Sequence, residues 1–199
     1  MGIIKTALEI ALEKTENIKS DKSSIDQFEM KQKGKKLAND FLSDGADITE
    51  ELKKYSSDRK KSLKQGLFDV FVTQIALPVT DEDQKRLEKT GQGLAAIIDN
   101  QKNRNEFSLM YSQLLQLVNQ YLQETAHYDQ ALRQQYAPKL RQKEEEIARR
   151  IGREIALDPM QDPEFIAFYN QNMAALKNNY DPVIEQAKEE ARRLFNNAE

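Results

Sequence analysis

Between Glu106 and Leu132 apolar side chains recur every third or fourth residue: Phe107, Met110, Tyr111, Leu114, Leu115, Val118, Tyr121 and Leu122. No stretch of the chain shows the strict alternation that a half-buried strand requires. A chain patterned in this way can bury its apolar side chains only by setting helix against helix. The expected fold is therefore all-α, an elongated bundle of six or seven amphipathic helices. Charged residues make up 32% of the 199 and mean hydropathy is −0.78, so the core must be thin and the helices long.

Helix boundaries follow from caps and breakers. Ile3, Ile4, Ala7, Leu8, Ala11, Leu12 and Ile18 predict a first helix over 3–19, and the polar run "SDKSS" predicts a break after it. Ser24 and Gln27 form a capping box for a second helix expected to carry Ile25, Phe28, Leu37, Phe41 and Leu42 inward, closed by Asp44-Gly45. Asp47 with Glu50 opens a third, expected to run unbroken to Pro78, and Thr80 caps a fourth. The apolar-free "DNQKNRN" over 99–105 predicts a loop, and Pro138 predicts a kink or break, since it lacks an amide donor.

After Leu157 the pairs Asp158-Pro159, Asp162-Pro163 and Asp181-Pro182 each place a capping residue before a proline suited to the first helical position. They predict two short C-terminal helices. The expected organisation is a helical bundle over 1–157 with a two-helix segment over 158–199 packed on it, the two being separable or one continuous domain.

Composition narrows function by exclusion. Thirty Lys and Arg stand against 33 Asp and Glu, a net charge of −3, so no global field draws nucleic acid or anionic lipid. No cysteine is present and there is one histidine, which removes thiolate chemistry and leaves few bases for nucleophilic catalysis. No run approaches the length of a transmembrane helix and no secretory leader pattern is visible, so a soluble, cytoplasmic protein is expected.

The motifs that remain are sparse. Glu124 and His127 stand three apart on one helix, the spacing of half a di-iron site. Completing it needs a second copy across a dimer axis. His127 lies about 140 degrees round from Leu122 at roughly 100 degrees per residue, which favours a solvent-facing polar pair over this metal site. "GQGLAA" at 91–96 formally matches a dinucleotide-binding pattern, yet "DEDQKRLEKT" before it is helical where that motif needs a strand; close helix packing at the two glycines is the plainer account. Ser57 and Lys60 have Ser-x-x-Lys spacing without the rest of that catalytic set. "MGIIKT" fits a myristoylation pattern at Gly2, and the helix at 3–19, with as many acids as bases and no aromatic anchor, would bind a membrane surface only weakly. Lys53, Lys54, Arg59, Lys60, Lys61 and Lys64 form a basic cluster, a candidate binding surface for phosphate backbones or else a solvated helix face.

These features point to a structural or protein-interaction module without catalytic activity or cofactor, whose partner is another protein or a second copy of itself. A metal-binding bundle using Glu124 and His127 across a homodimer, and a weak membrane-surface or nucleic-acid binder, are the alternatives.

Overall fold

A computed structural model describes residues 7–196, with side chains from residue 23 onward except that of Asp44. Helix α1 spans Ala7–Asp44, α2 Ile48–Lys53, α3 Ser57–Thr73, α4 Asp81–Ile97, α5 Gln101–Ile151 and α6 Pro163–Asn196, with a 3-10 turn at Pro159–Gln161. Among the described residues the fold is all-α, with no strand. The expectations that fall on residues 3–6, and the Gly2 pattern, lie outside the described residues.

The bundle is organised around the α1–α3 pair. Asp26 meets Arg59, Gly34 meets Leu63 and Phe41 meets Phe71, so the two helices climb in the same direction. Short α2 carries the chain back along α1 to make this possible. A Cβ on Gly34 would lie 2.1 Å from the Leu63 carbonyl oxygen, and one on Gly66 would lie 2.0 Å from that of Lys31. The two backbones therefore touch, which only residues without a side chain allow. Helix α4 runs back along α3, α5 returns along α4, and α6 closes antiparallel to α5, as shown by Phe71 against Gly93, Tyr111 against Leu87, and Arg193 against Glu106.

One core cluster joins all six helices, from Ala38 and Leu42 through Leu63, Leu67, Phe71 and Leu94 to Phe107, Val118, Ile184 and Leu194. It uses only the first third of α5 and the last third of α6. Beyond it these two helices pack on each other through smaller clusters centred on Tyr121, Leu176 and Tyr180, and on Tyr136, Leu140 and Phe165. They form a two-helix arm. At 1.5 Å per residue α5 is about 76 Å long.

Several boundaries differ from the sequence expectation. "SDKSS" does not break α1, because serine and charged residues cost a helix only a few tenths of a kcal/mol each. The helix expected to run from Asp47 to Pro78 is interrupted at Lys54–Ser56. Asp47 caps α2 as expected, accepting from the Glu50 amide at 3.0 Å, but α3 must reverse to run beside α1 at the glycine contact. The 99–105 segment is mostly helix: Asn100 accepts from the Lys102 and Asn103 amides and starts α5 there.

Neither internal proline ends a helix. Pro138 lies inside α5, where exposed Gln134 can give its freed carbonyl to water. Pro182 lies inside α6, so the two short C-terminal helices are one helix of 34 residues. Of the three Asp-Pro pairs, Asp162-Pro163 starts α6 and Asp158-Pro159 starts the 3-10 turn.

Candidate functional site

The basic cluster is pulled apart by the fold. Lys53 pairs with Glu50 at 2.7 Å and Lys54 with Glu51 at 2.5 Å, both on α2. Arg59 turns toward α1 and donates from two nitrogens to Asp26, at 2.9 and 2.7 Å. The remaining three, adjacent Lys60 and Lys61 with Lys64 one turn further along α3, line a single cavity of about 360 Å³. Lys64, only 7% exposed, is paired with Asp99 at the α4–α5 turn. Among the described residues Lys60 and Lys61 form no ion pair.

The rest of that cavity comes from three separate elements. Ile97 and Asp99 approach from the end of α4, and Phe195 and Asn196 from the end of α6. Phe195 is fixed by stacking on Phe68, with centroids 4.2 Å apart and rings within 11° of parallel. Ser57, at the first position of α3, and Gln65 complete the wall. The Ser-x-x-Lys pair thus shares a cavity, though no hydrogen bond joins its two side chains. Sequence grouped these lysines with three neighbours that face elsewhere; the partners from α4 and α6 carried no sequence cue.

Glu124 and His127 behave differently from one another. The Tyr180 hydroxyl donates to one Glu124 carboxylate oxygen at 2.6 Å and the Gln120 amide donates to the other at 3.0 Å. The bond from Tyr180 holds the Glu124 carboxyl below its ordinary range, and the same bond pushes the Tyr180 phenol up to about 12. Glu124 therefore clasps α5 to α6. His127 is exposed, and among the described residues no group of three or more His, Asp or Glu side chains is placed to hold a metal ion.

A second polar knot lies farther along the arm. Lys143 donates to both oxygens of Asp162, at 2.9 and 2.7 Å, and also to Glu164, while the Tyr136 hydroxyl donates to Asp162 at 3.2 Å. The hydrogen bond from Lys143 holds the Asp162 and Glu164 carboxyls below the usual range. These bonds pin the start of α6 to the far half of α5.

"GQGLAA" sits inside α4 with no strand before it. A Cβ on Gly91 would lie 2.3 Å from the Tyr111 ring and one on Gly93 2.6 Å from the Phe71 ring. Both glycines are seats for aromatic rings, which leaves the helix-packing account of this motif.

What these elements define is an all-helical protein in which no described helix is long and apolar enough to cross a membrane. Residues 49–193, from α2 to near the end of α6, match a family of unknown function (DUF6657), and the chain belongs to that family. No curated protein and no solved structure matches the chain.

Proposed function

We propose that the protein is a non-catalytic helical interaction module that pairs with a second copy of itself through α1. The observation that carries this reading is the exposure of Ile25 and Phe28, 58% and 62%, three residues apart on one face of that helix. Burying two such side chains contributes about 1.5–3 kcal/mol each. Antiparallel pairing about a two-fold axis between residues 26 and 27 sets Ile25 of one copy against Phe28 of the other, twice, as an isologous contact demands. A net charge of −3 leaves little long-range repulsion between copies. The best-formed polar clusters support a structural role, since Glu124 and Lys143 spend their bonding capacity holding α5 and α6 together.

Sedimentation velocity across a concentration series tests this. The expected result is a reversible dimer that Ile25→Glu with Phe28→Glu converts to a folded monomer. A wild-type monomer at every concentration removes self-association, and a dimer indifferent to both substitutions removes α1 as its interface.

A further inference from the structure

We propose that the cavity between α3, the α4–α5 turn and the end of α6 binds a phosphate monoester carrying a small apolar group. This goes beyond self-association and uses none of the residues that carry it.

Three ammonium groups and one carboxylate line the cavity, an excess of two positive charges. Two features give that excess direction. Lys64 is held by Asp99, so its charge is already balanced and its side chain already ordered. Lys60 and Lys61 keep theirs, while Lys53, Lys54 and Arg59 are each matched to a carboxylate outside the cavity. Of the six clustered cations from Lys53 to Lys64, only Lys60 and Lys61 are left without an ion pair among the described residues, and both line this one pocket. A polyanion such as nucleic acid needs a row of charges at phosphate spacing; one dianionic group needs only this pair.

A phosphate monoester carries about −1.5 to −2 charges near pH 7 and presents three acceptor oxygens. Lysine is a common phosphate partner acting as a point charge. The Ser57 hydroxyl of α3 and the Asn196 amide of α6, also in the lining, supply neutral donors for an oxygen the lysines leave over. The apolar part of the lining is Ile97 and a Phe195 ring already fixed by its stack on Phe68. An ester group of a few carbons or one aromatic ring finds its contact there. The volume, about 360 Å³, is at the lower end of the range for small-molecule sites.

The same headgroup occurs on soluble metabolites and on phosphatidic acid, and the test separates them. Full-length protein is titrated calorimetrically with phenyl phosphate and, in parallel, floated with phosphatidylcholine vesicles with and without phosphatidic acid. One equivalent of phenyl phosphate is expected to bind, weakened about tenfold by Lys60→Gln and again by Lys61→Gln, the worth of one charge-assisted hydrogen bond each. Lys53→Gln, outside the cavity, should titrate as wild type. Among the described residues neither lysine of α3 forms an ion pair, so the variants should keep the wild-type helical circular dichroism. Flotation dependent on phosphatidic acid and lost in the same variants assigns the lipid source; titration without flotation assigns a soluble ester. No saturable heat with phenyl phosphate and no flotation overturns the site, as does binding that survives both substitutions.

Discussion

The α1–α3 crossing and the α5–α6 arm hold helices together by opposite means. At the crossing, Gly34 and Gly66 bring two backbones into contact beneath a core that includes Leu63, Leu67 and Phe71, all fully buried. In the arm, single aromatic residues such as Tyr136 and Phe165 are spaced along two long helices, and the polar clasps at Glu124 and Lys143 fill the gaps between them. Contact at the crossing is steric and has no slack, with the Arg59–Asp26 and Lys31–Asp69 pairs beside it as additions to a backbone contact. Contact in the arm is directional and each clasp can open alone. The crossing sets whether the protein folds, while the arm sets how far the fold extends.

The largest effect that separates the two comes from a single methyl group. Alanine for glycine at an exposed helix position ordinarily stabilises by about 0.5–1 kcal/mol. At Gly34 or Gly66 it places a carbon about 2 Å from a backbone oxygen, which neither helix can relieve without moving as a whole. Gly34→Ala and Gly66→Ala are each expected to destabilise the protein by at least about 3 kcal/mol. A urea midpoint unchanged or raised in either variant would show that α1 and α3 do not meet in this way.

Gly91→Ala sharpens the same point where the neighbour can move. Its new carbon meets the Tyr111 ring, a side chain, so the ring can swing aside at the expense of its 2.7 Å bond to the Leu87 carbonyl. The expected loss is about 1–2 kcal/mol, the worth of a buried hydrogen bond and some overpacking. Tyr111→Phe should account for most of the bond's share without any clash. A cost for Gly91→Ala matching that at Gly34 would mean that the ring is as immovable as a backbone.

In the arm the effect should be local. Lys143→Gln removes the cation that faces Asp162 and Glu164, and protection of amides at the start of α6 is expected to fall while that of α3 stays as it was. Hydrogen exchange read by mass spectrometry resolves the two segments. An equal loss of protection in α3 would show that arm and core open as one unit.

How much of this was legible in the sequence follows the same division. Periodicity is local, so the all-α class and the core residues Leu63, Phe71, Leu94, Phe107 and Leu194 could be read from spacing alone, whereas Ile25 and Phe28, which the same spacing sets inward, are exposed, because spacing defines a face and not what packs on it. Caps were read correctly at Asp47, Thr80 and Asp162, but the Asn100 cap was read as loop and the box read at Ser24 lies inside α1. The break at Lys54–Ser56 was not readable, because a pair of distant glycines imposes it. Prolines 138 and 182 misled because an amphipathic helix packed along its length can absorb one lost hydrogen bond. The basic cluster was visible as a run of residues, but its division into paired and unpaired members depends on Asp26 and Asp99, far away in the chain.

The smallest expected effect is one of pH, and it bears on whether the arm's clasps act through charge. Asp162 and Glu164 are held below the ordinary carboxylate range chiefly by their bonds from Lys143. A carboxyl depressed in the folded state contributes stability that is complete above its unfolded value, about pH 4, and disappears as pH falls through the lower folded value. Lys143, raised by the same bonds, contributes below its ordinary range near pH 10 and loses its contribution only as pH rises through the folded value. The clasp should therefore be intact from about pH 5 to 10 and loosen on the acid side first. Protection factors, corrected for intrinsic exchange, at the start of α6 are expected to drop below about pH 4, before those at the glycine contact, where the backbones still touch when the flanking Lys31–Asp69 pair, 2.8 Å apart, is broken by protonation. Lys143→Gln should shrink that difference, since it removes the largest of the bonds that depress both carboxyls and leaves Lys139 on Glu164 and the Glu164 amide on Asp162. An acid-induced drop of equal size in the variant would place the sensitivity in other groups and leave Lys143 a purely steric link.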